Sequence, residues 1–277
     1  LSIAITATGG NLAFWNRGGT LLNSASNGTI TVTSSGTGTT LMAGSYTNQG
    51  SAGTVRVTVN GYANVQGNFT NLGSANGSDG LAAVSVTAVS TGQQALQLTG
   101  PVTAIGPVTM TGTSTSPGVG PGIFGLGWTS DVTLVHKNNG LVASTLNLIG
   151  TSAVNPGLTG WGNATASGAI TLNGSSTSGT GVLLNGTWTV NDAASSSDAG
   201  NLVISGTSTS GLGLTTYGGG LTNASRASVS LSGTSTSGNG LSAYGLTYGN
   251  SSSGALSLSG TSGSGTGLLL GSSSAAL

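Results

Sequence analysis

The chain has no cysteine and no glutamate, and its 277 residues carry only four basic side chains, four acidic ones and one histidine. A globular domain devotes about a quarter of its residues to charge, so functions that run on charge are excluded first. Without cysteine there is no disulfide, no thiolate chemistry and no sulfur-ligated metal. Four cations in so long a chain cannot build the basic patch that nucleic-acid binding needs. Aromatic residues are 4% of the total, and no apolar run is long enough to span a bilayer as a helix. The first residues, Leu1-Ser2-Ile3-Ala4-Ile5, show no signal-peptide pattern and enter a strand at once. The expectation is a mature product, or a piece of a larger exported one.

What is present is glycine, 52 residues of it, with abundant Ser, Thr and Asn. Such a composition is shared with disordered segments, but here the apolar residues fall into columns. The stretch Val229-Ser230-Leu231-Ser232-Gly233-Thr234-Ser235 alternates apolar and polar residues and ends in a small-residue corner, and the pattern recurs along the chain. With the corner residue as anchor, the anchors are Ala7, Ser34, Gly61, Ala88, Gly112, Gly150, Gly174, Gly206, Gly233 and Gly260, and five of the nine steps are 27 residues. Two and four residues before every anchor stands an aliphatic residue or methionine, from Ile3 and Ile5 to Leu256 and Leu258. Period two held this strictly is a half-buried strand.

Eight residues after the anchors a third column runs through Met42, Phe69, Leu96, Leu158, Val182, Leu214, Leu241 and Leu268, broken at Gly120. A shorter segment follows, as in Thr187-Trp188-Thr189-Val190 and Leu221-Thr222-Asn223, and reads as a third face. Units of this kind cannot bury their apolar positions alone. Stacked, they give a continuous core in which each side chain packs on its counterparts above and below. The expected fold is therefore all-β: a parallel β-solenoid of about ten coils with a ~27-residue repeat, forming one domain over residues 1–277. Parallel crossovers are right-handed, so a right-handed β-helix is expected. The 38-residue step from Gly112 to Gly150 and the 32-residue step from Gly174 to Gly206 exceed the repeat, placing longer inter-coil loops at about 117–141 and 191–200.

Catalytic chemistry finds little to use. His136 is the single imidazole and Asp131 its nearest carboxylate, but no nucleophile elbow accompanies them. Polysaccharide-cleaving β-helices need paired carboxylates or basic clusters, and four scattered aspartates do not supply them. Calcium-binding repeats need an Asp in each glycine-rich turn, where these corners hold Ser and Thr. The reading is a non-enzyme with no metal and no cofactor. Candidate contact residues for a ligand or a second subunit are Trp128, in the longest insertion, and Trp161, Tyr217 and Tyr244, each eleven residues past an anchor. Exposed aromatics beside Asn and Ser can stack on sugar rings. The corner triplets Thr113-Ser114-Thr115, Thr207-Ser208-Thr209 and Thr234-Ser235-Thr236 admit two readings, hydroxyls that satisfy a tight turn or a flat threonine array that binds ice.

The segments Ile204-Ser205-Gly206-Thr207-Ser208-Thr209-Ser210-Gly211-Leu212-Gly213-Leu214 and Leu231 through Leu241 resemble the repeat region of filamentous-haemagglutinin-like exoproteins and autotransporter passengers. The resemblance covers mainly residues 108–270. It implies an exported, surface-displayed or released bacterial β-helix whose repeats form a shaft, with adhesion or toxin delivery elsewhere in the chain. The expected role is a structural and adhesive shaft of a bacterial surface adhesin, or a subunit of a self-assembling extracellular filament. Its partners would be further copies, joined head-to-tail or laterally, or a cell-surface glycan; the alternative is a glycan- or ice-binding module. Near-zero net charge removes mutual repulsion between copies, which favours association.

Overall fold

The computed structural model describes residues 2–25, 28–49, 53–72, 84–91, 94–100, 102–104, 106–115, 123–126, 132–134, 145–161, 164–166, 169–190, 201–223, 228–250 and 254–271. These residues form a parallel β-solenoid with no helix. The first face is a sheet of ten strands stacked in sequence order: Ser2–Thr8, Thr29–Ser35, Thr54–Asn60, Val84–Ser90, Val108–Ser114, Leu146–Ser152, Ile170–Ser176, Leu202–Ser208, Val229–Ser235 and Leu256–Ser262. Every neighbouring pair is parallel. Each strand alternates inward and outward residues, so the two aliphatic columns close the core and the Thr, Ser and Asn between them face out.

The count of turns differs from ten equal coils. Among the described residues seven turns carry three separate strands. In the next two, the second and third strands run together as the ten-residue strands Leu214–Asn223 and Leu241–Asn250. Within those strands the corner is turned by Gly218 and Gly245, at φ +64° and +59°, a left-handed conformation that glycine adopts without steric cost. This continuity merges the second and third faces into one 17-stranded sheet.

Two sequence-level registers are corrected. In the third turn Val55 pairs with Ile30 and Val59 with Ser34, so the anchor is Val59 and not Gly61. Apolar Val55, Val57 and Val59 all satisfy the alternation, and a two-residue slip leaves every side chain on its face; the flanking steps become 25 and 29 residues instead of 27. The second-face column is also different. Ala63, Leu96, Ile123, Leu158, Val182, Leu214, Leu241 and Leu268 share one register position. Ile123 fills the place assigned to Gly120, while Met42 belongs to the neighbouring inward position with Val65 and Leu98. Phe69 lies on the third face, paired with Tyr46 and Val102. Residues 117–141 return to the stack twice, as Ile123–Leu126 and Val132–Leu134; residues 191–200 lie outside the described residues.

The third-face column runs Leu21, Tyr46, Phe69, Val102, Val132, Ala164, Trp188, Leu221 and Tyr248. Its sizes compensate from rung to rung. Trp188 is fully buried above Ala164, and its ring reaches over Gly160, where an added Cβ would lie 2.5 Å from the Trp188 Cζ2. Tyr46 and Phe69 stack at 4.7 Å between ring centroids.

Polar ladders run beside the apolar columns. Asn23, Asn48 and Asn71 occupy one buried register position, and Asn48 Nδ2 donates to Asn71 Oδ1 at 3.0 Å. At the corner, the serine that follows each Gly-Thr dipeptide turns inward. Ser208 Oγ accepts from the Gly211 N–H (2.8 Å) and donates to Gly179 O one rung back (2.7 Å). Ser235 does the same with Gly238 N–H (2.9 Å) and Gly211 O (2.6 Å), and Ser262 with Gly265 N–H and Gly238 O. Each hydroxyl thus staples its own turn to the one before it, which is the turn-satisfying reading of the triplets. One register position of the third face holds Thr47, Thr70, Thr103, Thr133, Thr165, Thr189 and Thr222, seven threonines in unbroken sequence, of which Thr47, Thr70, Thr103 and Thr189 face outward.

Candidate functional site

Of the sequence-selected aromatics that the structure describes, Tyr217 and Tyr244 are brought together and Trp161 stands apart from them. These two pair across adjacent rungs at the corner between the second and third faces, with rings 6.0 Å apart and inclined by 8°. The next position in the same register is Gly271, and the Tyr244 ring lies over it, so that a Cβ on Gly271 would sit 2.3 Å from Tyr244 Cδ1. On the other side is Asn185. Its backbone N–H donates to Gly160 O at 2.7 Å, and its Nδ2, in the orientation its neighbours satisfy, donates to Tyr217 O at 2.8 Å and Gly218 O at 3.0 Å. Trp161 is half-buried two rungs before Tyr217, with Asn185 on the rung between. Trp128 lies outside the described residues, as do Asp131, His136 and Lys137.

Tyr217 is half exposed, yet the arrangement limits what it can bind. A sugar stacks on a bare aromatic face, and here one face of each ring is on the other tyrosine while Tyr244 also lies against Gly271. The stacked rings pack along the rod axis.

A second aromatic contact, missed in the sequence, is Trp15 with the Arg17 guanidinium 5.2 Å from its ring centroid, a cation–π pair on an exposed indole. Its signal was the W-x-R spacing at the end of the edge strand Leu12–Asn16, with Arg17 just beyond it. Tyr62, Gln94 and Gln97 form a polar cluster on the second face: the Tyr62 hydroxyl donates to Gln97 Oε1 and accepts from Gln94 Nε2 at 3.0 Å. Burial pushes the Tyr62 phenol up to about 12, and it does the same to Tyr46, whose hydroxyl accepts from Asn16 Nδ2 at 3.2 Å. Burial likewise raises Tyr248.

Arg17 and Arg56 are the charged side chains that the structure describes. Among the described residues there is no group of three or more metal-ligating side chains, and no helix long and apolar enough to cross a membrane. The described surface carries hydroxyls, carboxamides, the two arginines and a few exposed apolar side chains, among them Leu12, Trp15, Leu22, Val89 and Tyr217. No protein-family model, no curated protein and no solved structure matches the chain.

Proposed function

We propose that this chain is the shaft of an exported, surface-displayed bacterial protein or extracellular fibre, with a structural and adhesive role. The observation that supports this most is the first face, ten parallel strands in sequence order whose register repeats residue for residue from Val84 to Ser262. Ten rungs at ~4.8 Å per step make a rod of about 45 Å. Its rigidity comes from the same ladders that fix register, since each rung is bonded along its length to the next. Low charge and the half-exposed Tyr217 suit contact between neighbouring copies.

Negative-stain electron microscopy of the purified chain tests the reading. Rods of about 45 Å, or end-to-end multiples of that length, are expected. Irregular particles would count against a shaft, and short single rods at every concentration would remove self-assembly from the proposal while leaving the shaft.

A further inference from the structure

The outer surface of the first face is not uniform. In its five amino-terminal strands, Ser2–Thr8, Thr29–Ser35, Thr54–Asn60, Val84–Ser90 and Val108–Ser114, eleven of the 18 outward residues are threonine. In the five carboxy-terminal strands the count is five of 15, and serine and asparagine take most other places. The central row of the amino-terminal half is unbroken: Thr6 pairs with Thr33, Thr33 with Thr58, Thr58 with Thr87 and Thr87 with Thr111. Beside it run Ala4, Thr31, Arg56, Ser85 and Thr109 in the same order, two threonines of five. This row emerges only from the corrected register of the third turn, which moves Thr58 into line with Thr33 and Thr87.

We propose that this half-face binds the surface lattice of ice. Rungs repeat at ~4.8 Å along the rod, close to the shorter oxygen repeat on the prism plane of hexagonal ice, and outward positions at about 6.6 Å along each strand, somewhat short of the longer one. Threonine suits such a lattice because its β-branched side chain is held at few χ1 values, so hydroxyl and methyl repeat with the backbone. A serine hydroxyl rotates freely and leaves no methyl to order the water between rows. None of the five central hydroxyls is hydrogen-bonded within the chain among the described residues, whereas Thr8 is tied to Ser35 at 2.8 Å. All five are at least partly exposed. Stacking alone does not account for the bias, since the same strand pairs close with Ser230, Ser232, Ser257 and Ser259 in the other half.

The third-face threonines do not qualify by the same argument. They stand in single file, with inward residues on both sides, as in Phe69-Thr70-Asn71, and give one spacing instead of two. Arg56 is the single charged side chain on the proposed surface and is exposed; it interrupts the second row.

The test is thermal hysteresis and inhibition of ice recrystallisation by the intact chain. Wild type is expected to show both, Thr58→Lys and Thr111→Lys to lose most of the activity, and Ser232→Lys, on the same face in the other half, to keep it. Arg56→Thr, which removes the charge and adds a third threonine to the second row, is expected to raise it. Exposed substitutions of this kind change stability little, and circular dichroism melts identify any variant that misfolds, which is why two positions are tested. Wild type without hysteresis overturns the proposal, as does hysteresis that Thr58→Lys and Thr111→Lys leave intact or that Ser232→Lys abolishes equally. A rod seen by microscopy but inactive toward ice leaves the shaft standing and removes only this surface.

Discussion

Asn48→Asp is the sharpest probe of the buried asparagine ladder, because it changes one atom and brings pH into the core. Asn48 is fully buried and donates to Asn71 Oδ1 at 3.0 Å, and Asn71 donates onward to Gly53 O at 3.2 Å. One rung earlier, Asn23 Oδ1 accepts from the Ala25 N–H at 3.1 Å. Asn23 Nδ2 and Asn48 Oδ1 are without a partner among the described residues; they are a donor and an acceptor on register neighbours, so a small rotation closes the ladder. Aspartate replaces the Nδ2 donor with an oxygen facing the Asn71 acceptor. Ionised, it loses that bond and buries a charge; protonated, its O–H can donate to Asn71 Oδ1. Burial therefore raises the carboxyl in the folded chain above its unfolded value of ~3.9.

The sign follows from that direction. Below about pH 4 both states hold the proton and the variant lies closest to wild type. As pH rises from the unfolded value toward the folded one, stability falls by about 1.4 kcal/mol per pH unit. A folded value near 7 makes the added loss about 4 kcal/mol at neutral pH. Asn48→Ala leaves Asn71 Oδ1 unpaired and costs about 1–3 kcal/mol at any pH. Urea unfolding of wild type and both variants at about pH 4 and pH 7 measures the three differences. A gap between Asn48→Asp and wild type that is equal at the two pH values would refute the reasoning, since a charge in a buried ladder cannot be pH-blind.

Other parts of the packing predict further outcomes. Gly160→Ala pushes a methyl into the Trp188 ring and should cost about 1–3 kcal/mol by overpacking, whereas Gly10→Ala, with open space around its Cβ, should be nearly neutral; thermal melts compare them. Ser235→Ala removes the staple between Gly238 N–H and Gly211 O and should cost about 1–3 kcal/mol, against little for exposed Thr234→Ala. The Tyr46 and Tyr62 phenols, raised from 10.0 to about 12, contribute stability that is complete below pH 10 and lost as pH rises through about 12. Ultraviolet titration of phenolate absorbance should show these two ionising with the unfolding transition, and ionisation near pH 10 in the folded chain would contradict their burial.

The solenoid was legible because its inner columns tolerate so little: Ile204, Leu231 and Leu258 follow one another at a fixed step, and no helix or hairpin pattern explains that. Register was less legible where the alternation is degenerate. Three valines in Thr54–Asn60 satisfy two alignments, and pairing with Ile30 and Val84 decides between them. Ile123 was hidden because the step around it is irregular, and Phe69 because a bulky apolar residue suits either short face. The tyrosine pair was visible as a spacing, but its ring stacking was not, since that depends on Gly271 leaving room beneath Tyr244. The corner serines were read as hydroxyls satisfying a tight turn, whereas the Asn23, Asn48 and Asn71 ladder was not read, because its spacing of 25 and 23 residues departs from the repeat.

These misreadings share a cause that bears on function. Inward positions are constrained by the rung on either side, so they repeat and announce the fold. Outward positions are free to vary as long as they are polar or small, and a fold of this kind accepts serine, asparagine or threonine there at similar cost. Where one register position is nonetheless of one residue type over five or seven rungs, as with Thr6 to Thr111 and Thr47 to Thr222, the backbone alone does not require it. On the third face a single file of β-branched residues can be accounted for by cross-strand stacking. On the first face the unbroken row from Thr6 to Thr111 gives way to Ile149, Asn173, Ser205, Ser232 and Ser259 half-way along the rod, while the strands beneath continue unchanged. A requirement that ends where the scaffold does not belongs to whatever meets that surface, and it is there, not in the core, that substitutions should separate stability from binding.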